Sequence, residues 1–195
     1  FVESNDLSDP ANYQIVQEQF DMENYLTYLI FQLYFGNLDW PGNNVRIWRE
    51  RGIGTKWRFL VYDLDATFSG SLYDPFKNLI EADIPAMMFN KLWQSSIFRE
   101  SLLNRFTNHL ETTFAPARLL PIFDEMATKY EQEVPDHIDR WSNPASSSDW
   151  EASLEYHRHF IRDRPCAMTE FVNKQFDLSA INFDCTYPNP LDPPS

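Results

Sequence analysis

Asn37, Asp39, Asn43 and Asn44 precede a short patterned stretch, and Asp63 and Asp65 follow it. Between them, Val45-Arg46-Ile47-Trp48-Arg49 alternates apolar and polar residues. Glu50-Arg51-Gly52-Ile53-Gly54-Thr55 carries turn chemistry, and Trp57-Arg58-Phe59-Leu60-Val61-Tyr62 reads as a second strand. The pattern predicts a β-hairpin. A hairpin brings its two ends together, so these carboxylates and amides should converge on one spot. One carboxylate of such a set can accept a hydroxyl proton. An amide oxygen and a second carboxylate can hold Mg²⁺ on phosphates. On spacing alone, a polar loop capped by turn residues accounts for the same residues, because such spacings arise often by chance.

The layout is that of a protein-kinase catalytic loop, H-R-D-x-x-x-x-N, followed by the Asp of D-F-G. Asp39 and Asn44 stand at the same offset, and Asp63 closes the hairpin where the D-F-G Asp would sit. The wider stretch is more specific. Asn37-Leu38-Asp39-Trp40-Pro41-Gly42-Asn43-Asn44, Trp48-Arg49, Lys56-Trp57-Arg58-Phe59, Tyr62-Asp63-Leu64-Asp65 and nearby Phe68 closely resemble the spore coat protein H (CotH) kinase family. The resemblance is dense over about residues 20 to 70 and looser elsewhere. It departs at Ser69, where many members run Phe-Gly directly.

The resemblance implies an atypical protein Ser/Thr kinase using ATP with Mg²⁺ or Mn²⁺. It implies Asp39 as the catalytic base and Asn44, Asp63 and Asp65 as metal ligands, with Asn43, Trp40 and Arg49 in support. It also implies a protein substrate, Ser-rich and basic, and a spore-coat, cell-envelope or secreted setting.

Composition bounds the rest. Apolar residues make up 43% and aromatics 16%, so the 195-residue chain is globular and long enough to bury a core. A net charge of -13 argues against a nucleic-acid surface and fits a cationic partner. No apolar run reaches the length of a membrane span. The chain starts at Phe1 without Met or a signal-like segment and reads as an excised piece. Cys166 and Cys185 are too few for a zinc site; free thiols and one disulfide both remain open.

Periodicity predicts a mainly helical fold around the hairpin, α+β in class, like a kinase C-terminal lobe over residues 1–187, with a Pro-rich tail over 188–195. Ala11 to Gln19 is a short helix. Asp21 caps a helix over Met22 to Phe35, with Tyr25, Leu26, Leu29, Ile30, Leu33 and Tyr34 on its buried side. Gly36 ends it and delivers Asp39. Ala66 to Pro85 has no clean period, and Tyr73-Asp74-Pro75-Phe76 and Asp83-Ile84-Pro85 read as turns. Further helices are expected over Ala86 to Lys91, Ile97 to Leu110 behind Ser95 or Ser96, and Pro116 to Glu133. Asp136 to Trp141 reads as a turn and 142–148 as a loop. A helix over Asp149 to Arg162 follows, with a separate last helix from Pro165 to Gln175. Leu178 to Phe183 reads as a strand.

Other constellations are weaker. His157 and His159 point to different helix faces and do not suit a metal pair. Gly52-Ile53-Gly54 lacks the third glycine of a nucleotide loop. Glu131, Glu133, Asp136 and Asp139 read as a solvated face. Trp40, Trp48 and Trp57 could stack on a sugar, although aromatics beside a strand pair are more often core. Lys56, Lys77, Lys91, Lys129 and Lys174 all follow the catalytic loop, and no glycine-rich phosphate cover precedes it. The N-terminal lobe of a kinase is thus absent from these residues, and this portion alone is expected to be inactive. Two other functions are kept open: a pseudokinase or structural assembly factor of a spore coat or cell surface, and a glycan-active or glycan-binding module.

Overall fold

The computed structural model describes residues 1–82 and 84–176. Among them are eight helices and one antiparallel two-stranded hairpin, so the fold is mainly α with a small β element. The chain divides into two compact units, Phe1–Thr107 and Asn108–Ser195.

The first unit is built on α2 (Met22–Phe35). Asp21 caps it by accepting from the Asn24 N–H, and Gly36 at φ 60° terminates it in the left-handed conformation. Burial is not confined to one stripe: Tyr25, Tyr28, Leu29, Ile30, Gln32, Leu33 and Tyr34 are all buried. A helix apolar nearly all round belongs in the centre of a unit. Before it lies α1 (Pro10–Gln19), capped by Asp9 with Pro10 in the first turn.

The hairpin packs on α2 and is shorter than expected. It consists of β1 (Arg46–Trp48) and β2 (Arg58–Leu60), with Arg46 opposite Leu60, Ile47 opposite Phe59 and Trp48 opposite Arg58. Residues opposite one another share a face. Ile47 and Phe59 therefore face α2, where the Phe59 ring meets Tyr25 at 4.7 Å and Tyr28 at 5.1 Å. Arg46 and Trp48 take the other face. Asn24 of α2 docks the second strand, accepting from the Phe59 N–H at 2.6 Å and donating to the Phe59 carbonyl at 3.1 Å. Trp57 adds two backbone bonds to the α1–α2 junction, to the Gln19 carbonyl and from the Asp21 N–H.

Two sequence expectations need correction in the region after the hairpin. Tyr73 to Phe76 is not a plain turn: Asp74 accepts from the Phe76 N–H and starts α3 (Pro75–Glu81), with Pro75 in its first turn. The segment Ile84-Pro85 opens α4 (Ile84–Leu92). An Asp-Pro pair is ambiguous between turn and helix start, and here buried Phe76 and Leu79 decide for helix. After it, α5 (Ser96–Glu111) begins with Ser95 Oγ accepting from Phe98 N–H, and Phe98 packs against Tyr25 and Phe89.

In the second unit, α6 (Pro116–Glu131) and α7 (Val134–Trp141) each pack against α8 (Ser147–Phe176). The turn expected over Asp136 to Trp141 is thus a helix. Nor does Pro165 separate two helices: α8 runs through it. A mid-helix proline costs about 3 kcal/mol. Here buried Phe160 and Ile161 before it, and Ala167, Met168 and Val172 after it, stabilise the continuous helix by more. Asp124 accepts from Arg158 Nε at 2.8 Å. His157 bonds the Ser153 carbonyl and His159 faces Glu155, so neither is placed as a metal ligand. Cys166 is disulfide-bonded. The expected strand over Leu178 to Phe183 and the tail lie outside the described residues.

Asp21 joins two stabilising contacts, the α2 cap and an ion pair with Arg58 at 2.9 Å, the latter about half-exposed at the arginine. Capping dominates because solvent screens the pair. Asp21→Ala is expected to cost ~1 kcal/mol and Arg58→Ala only a few tenths. Urea unfolding midpoints of the two variants check the order.

Candidate functional site

Four hydrogen bonds stitch the segment from Phe35 to Asn44 to the segment after β2. The Phe35 carbonyl accepts from Phe68 N–H at 2.8 Å, and the Gly36 carbonyl accepts from Ser69 Oγ at 2.6 Å. Leu38 N–H donates to the Ala66 carbonyl at 3.0 Å, and Asn44 Nδ2 donates to the Asp63 carbonyl at 3.3 Å. The pairing is antiparallel: as numbers rise from 36 to 44, partners fall from 69 to 63. Residues 38 to 44 are thereby held at both ends against 63 to 66. Asp39, Asn44, Asp63 and Asp65 all sit on these two tied segments.

Local geometry explains the residue types. Asn44 at φ 57° and Asp63 at φ 54° face one another, both left-handed. Asn and Asp tolerate this region better than other non-glycine residues. Phe68 at φ 59° is a true outlier for a bulky residue. Its N–H bond to Phe35 and its ring, 5.3 Å from that of Phe35, hold it there. Within the loop, Asn43 N–H donates to the Asp39 carbonyl at 2.7 Å and Asp39 N–H donates to Asn37 Oδ1 at 3.1 Å. The Trp40–Pro41 peptide is cis.

The side chains of Asp39, Asp63 and Asp65 are exposed, whereas Asn44 is buried. Asp39 and Trp40 border a shallow cleft of about 280 Å³ that Asn78, Glu81 and Ala82 of the α3 region also line. No three Asp, Glu, His or Cys side chains among the described residues converge tightly enough to hold a metal unaided. Exposed carboxylates with one amide oxygen nevertheless fit Mg²⁺, which keeps waters and takes phosphate oxygens to complete its shell. With Nδ2 engaged by the Asp63 carbonyl, Oδ1 is the Asn44 atom that would face a cation.

The hairpin arginines have partners on or beside the hairpin. Arg46 donates to the Tyr62 hydroxyl and lies over that ring, Arg49 lies over Trp57 at 4.7 Å, and Arg58 pairs with Asp21. Among the described residues no ion pair joins an arginine to Asp39 or Asp63. Arg49, which the family resemblance puts in support of the site, stands directly after β1 and lies on Trp57. Trp40 is core, set edge-on to Tyr28 with centroids 6.3 Å apart. Burial pushes the Tyr28 phenol up to about 12, partly opposed by the Trp40 and Gln32 side chains that face it.

A family model described as CotH kinase protein matches residues 1–168. The chain belongs to the CotH kinase family. No curated protein and no solved structure matches it. In this family member, Ser69 stands where the sequence departs from Phe-Gly, and its hydroxyl bond to Gly36 ties the departing residue into the site. Asn24 and Gln32 escaped the sequence reading, while Asn37 and Ser69 were named there without the bonds they make. The one available signal was polarity out of place: Asn24 and Gln32 interrupt an otherwise apolar helix.

The left-handed conformation and the amide of Asn44 can be separated by substitution. Asn44→Gly keeps the conformation and loses the amide; Asn44→Ala loses both. Asn44→Ala is expected to unfold ~1–2 kcal/mol more easily than Asn44→Gly, while both lose metal affinity to the same extent. Thermal melting and Mn²⁺ titration of the two variants check this; equal stability would deny the backbone role.

Proposed function

We propose that this chain supplies the base and the metal ligands of an atypical protein Ser/Thr kinase. The enzyme would transfer the ATP γ-phosphate to a protein hydroxyl with Mg²⁺ or Mn²⁺. The observation that carries the reading is the double tie of Leu38 to Ala66 and Asn44 to Asp63. It ties the loop that carries the exposed Asp39 carboxylate to the segment that carries Asp63 and Asp65. Glycoside hydrolysis needs two carboxylates but no amide fixed between them, so the amide at Asn44 favours phosphate chemistry.

In this reading Asp63 is the main metal ligand, with Asn44 second and Asp65 third. The metal, when bound, neutralises phosphate charge and orients the chain of phosphates. Asp39 orients the acceptor hydroxyl and takes its proton as the hydroxyl oxygen bonds to the γ-phosphorus and the bond to ADP breaks. The net charge of -13 suits a basic, Ser-rich substrate. The disulfide at Cys166 suits an oxidising setting such as a spore coat, an envelope or the exterior.

The test is phosphorylation of a Ser-rich basic peptide by a protein extended at its N-terminus and by residues 1–195 alone. Activity is expected in the first and not in the second, because adenine and the α- and β-phosphates need further contacts. Equal activity would show that these residues grip the nucleotide unaided. In the active protein, Asp63→Ala should abolish transfer and weaken metal–nucleotide binding. Asp39→Asn should lower kcat more than ATP affinity. Full activity of Asp63→Ala would move the metal elsewhere, and no activity in any form would favour a pseudokinase or assembly factor.

A further inference from the structure

Under the Asp39 loop lies a set of buried polar side chains that packing alone does not explain. Gln32 is fully buried within α2, flanked by core residues Leu29 and Leu33. Its Oε1 accepts from Asn37 Nδ2 at 3.1 Å. Asn37 is itself buried, and its Oδ1 accepts from the Asp39 backbone N–H at 3.1 Å. Tyr28, one turn before Gln32 on the same helix face, meets the edge of the Trp40 ring. Tyr28 Oη, Gln32 Nε2 and Trp40 Nε1 are buried without a well-formed partner among the described residues. Apolar residues of the same shape would be no less stable in such a place. Buried polar groups retained at a cost mark a requirement for one particular geometry.

We propose that Gln32 and Asn37 are positioning residues, and that the Gln32–Asn37–Asp39 relay fixes the base relative to its metal ligands. The proposal rests on the kinase reading of Asp39. The carboxylate is exposed and makes no hydrogen bond or ion pair among the described residues. Its backbone N–H is therefore the handle by which the core sets its position, while Trp40, buried on Tyr28, anchors the next residue. The tie from Leu38 to Ala66 fixes where the loop begins, and the relay fixes how it turns at Asp39. Misplacing a reacting group by about an ångström can lower a rate by as much as ~100-fold.

Backbone amide exchange on the full chain reads the relay without any activity. The Asp39 N–H should exchange at least about tenfold more slowly than its unstructured rate. Gln32→Met should remove that protection, while the Leu38 N–H, held by the Ala66 carbonyl, keeps its own. An unprotected Asp39 N–H in the wild-type protein overturns the relay, and that measurement needs no variant to fold. In the active, N-terminally extended protein, Gln32→Met should lower kcat by about tenfold or more with the KM for ATP nearly unchanged. Asn37→Asp retains an acceptor for the Asp39 N–H and should keep more kcat than Asn37→Leu. Unchanged kcat in Gln32→Met, or equal loss in both Asn37 variants, overturns the positioning role. A wild-type protein that transfers no phosphate overturns the role of Asp39 itself. Amide protection would then still report the relay, so the two failures are distinguishable.

Discussion

The antiparallel stitching of residues 35–44 to 63–69 is the constraint on which the site depends. Two of its four bonds use backbone donors, and two use the side chains of Ser69 and Asn44. Neither segment is a strand, so neither has a regular ladder to fix its register. The bonds do that work singly, at Phe35, Gly36, Leu38 and Asn44. Three left-handed residues, Asn44, Asp63 and Phe68, are the backbone's accommodation to it. Strain of this kind persists only where surrounding contacts over-determine the conformation, and the aromatic packing of Phe35 and Phe68 supplies part of that.

That stitching in turn needs α2 as a rigid floor. The helix ends at Gly36, in the middle of the tied segment, so any shift of α2 would carry Leu38 and Asp39 with it. Asn24 grips the hairpin from one turn of α2 and Gln32 grips the loop from another. One helix thus sets both the strand pair and the Asp39 loop, which allows residues far apart in sequence to keep a common frame.

Much of this was legible in the sequence. Asp21 and Gly36 bounded α2 correctly because capping is local chemistry between neighbouring residues. The hairpin and the sharing of one face by Arg46 and Trp48 followed from alternation. The helices at Pro75 and across Pro165 were misread because proline's local effect was weighed without tertiary burial, and Phe76, Ile161 and Met168 reverse its sign. The hairpin arginines take Tyr62, Trp57 and Asp21 as partners, a choice that only the folded hairpin makes visible. Motif spacing identified Asn44 and Asp63 as a pair; it could not reveal that an amide-to-carbonyl bond joins them, since that bond forms only between folded segments.

The bond from Asn44 to Asp63 also makes the hairpin a closed excursion: the chain departs and returns at the same point. Everything beyond that clasp can vary without moving the aspartates. The tip is open, with Ile53 wholly exposed and no atom near the space a side chain at Gly54 would fill. Loop closure responds only weakly to added length. Insertions and deletions among related sequences should therefore gather between Glu50 and Thr55, while the spacing from Asp39 to Asn44 stays fixed.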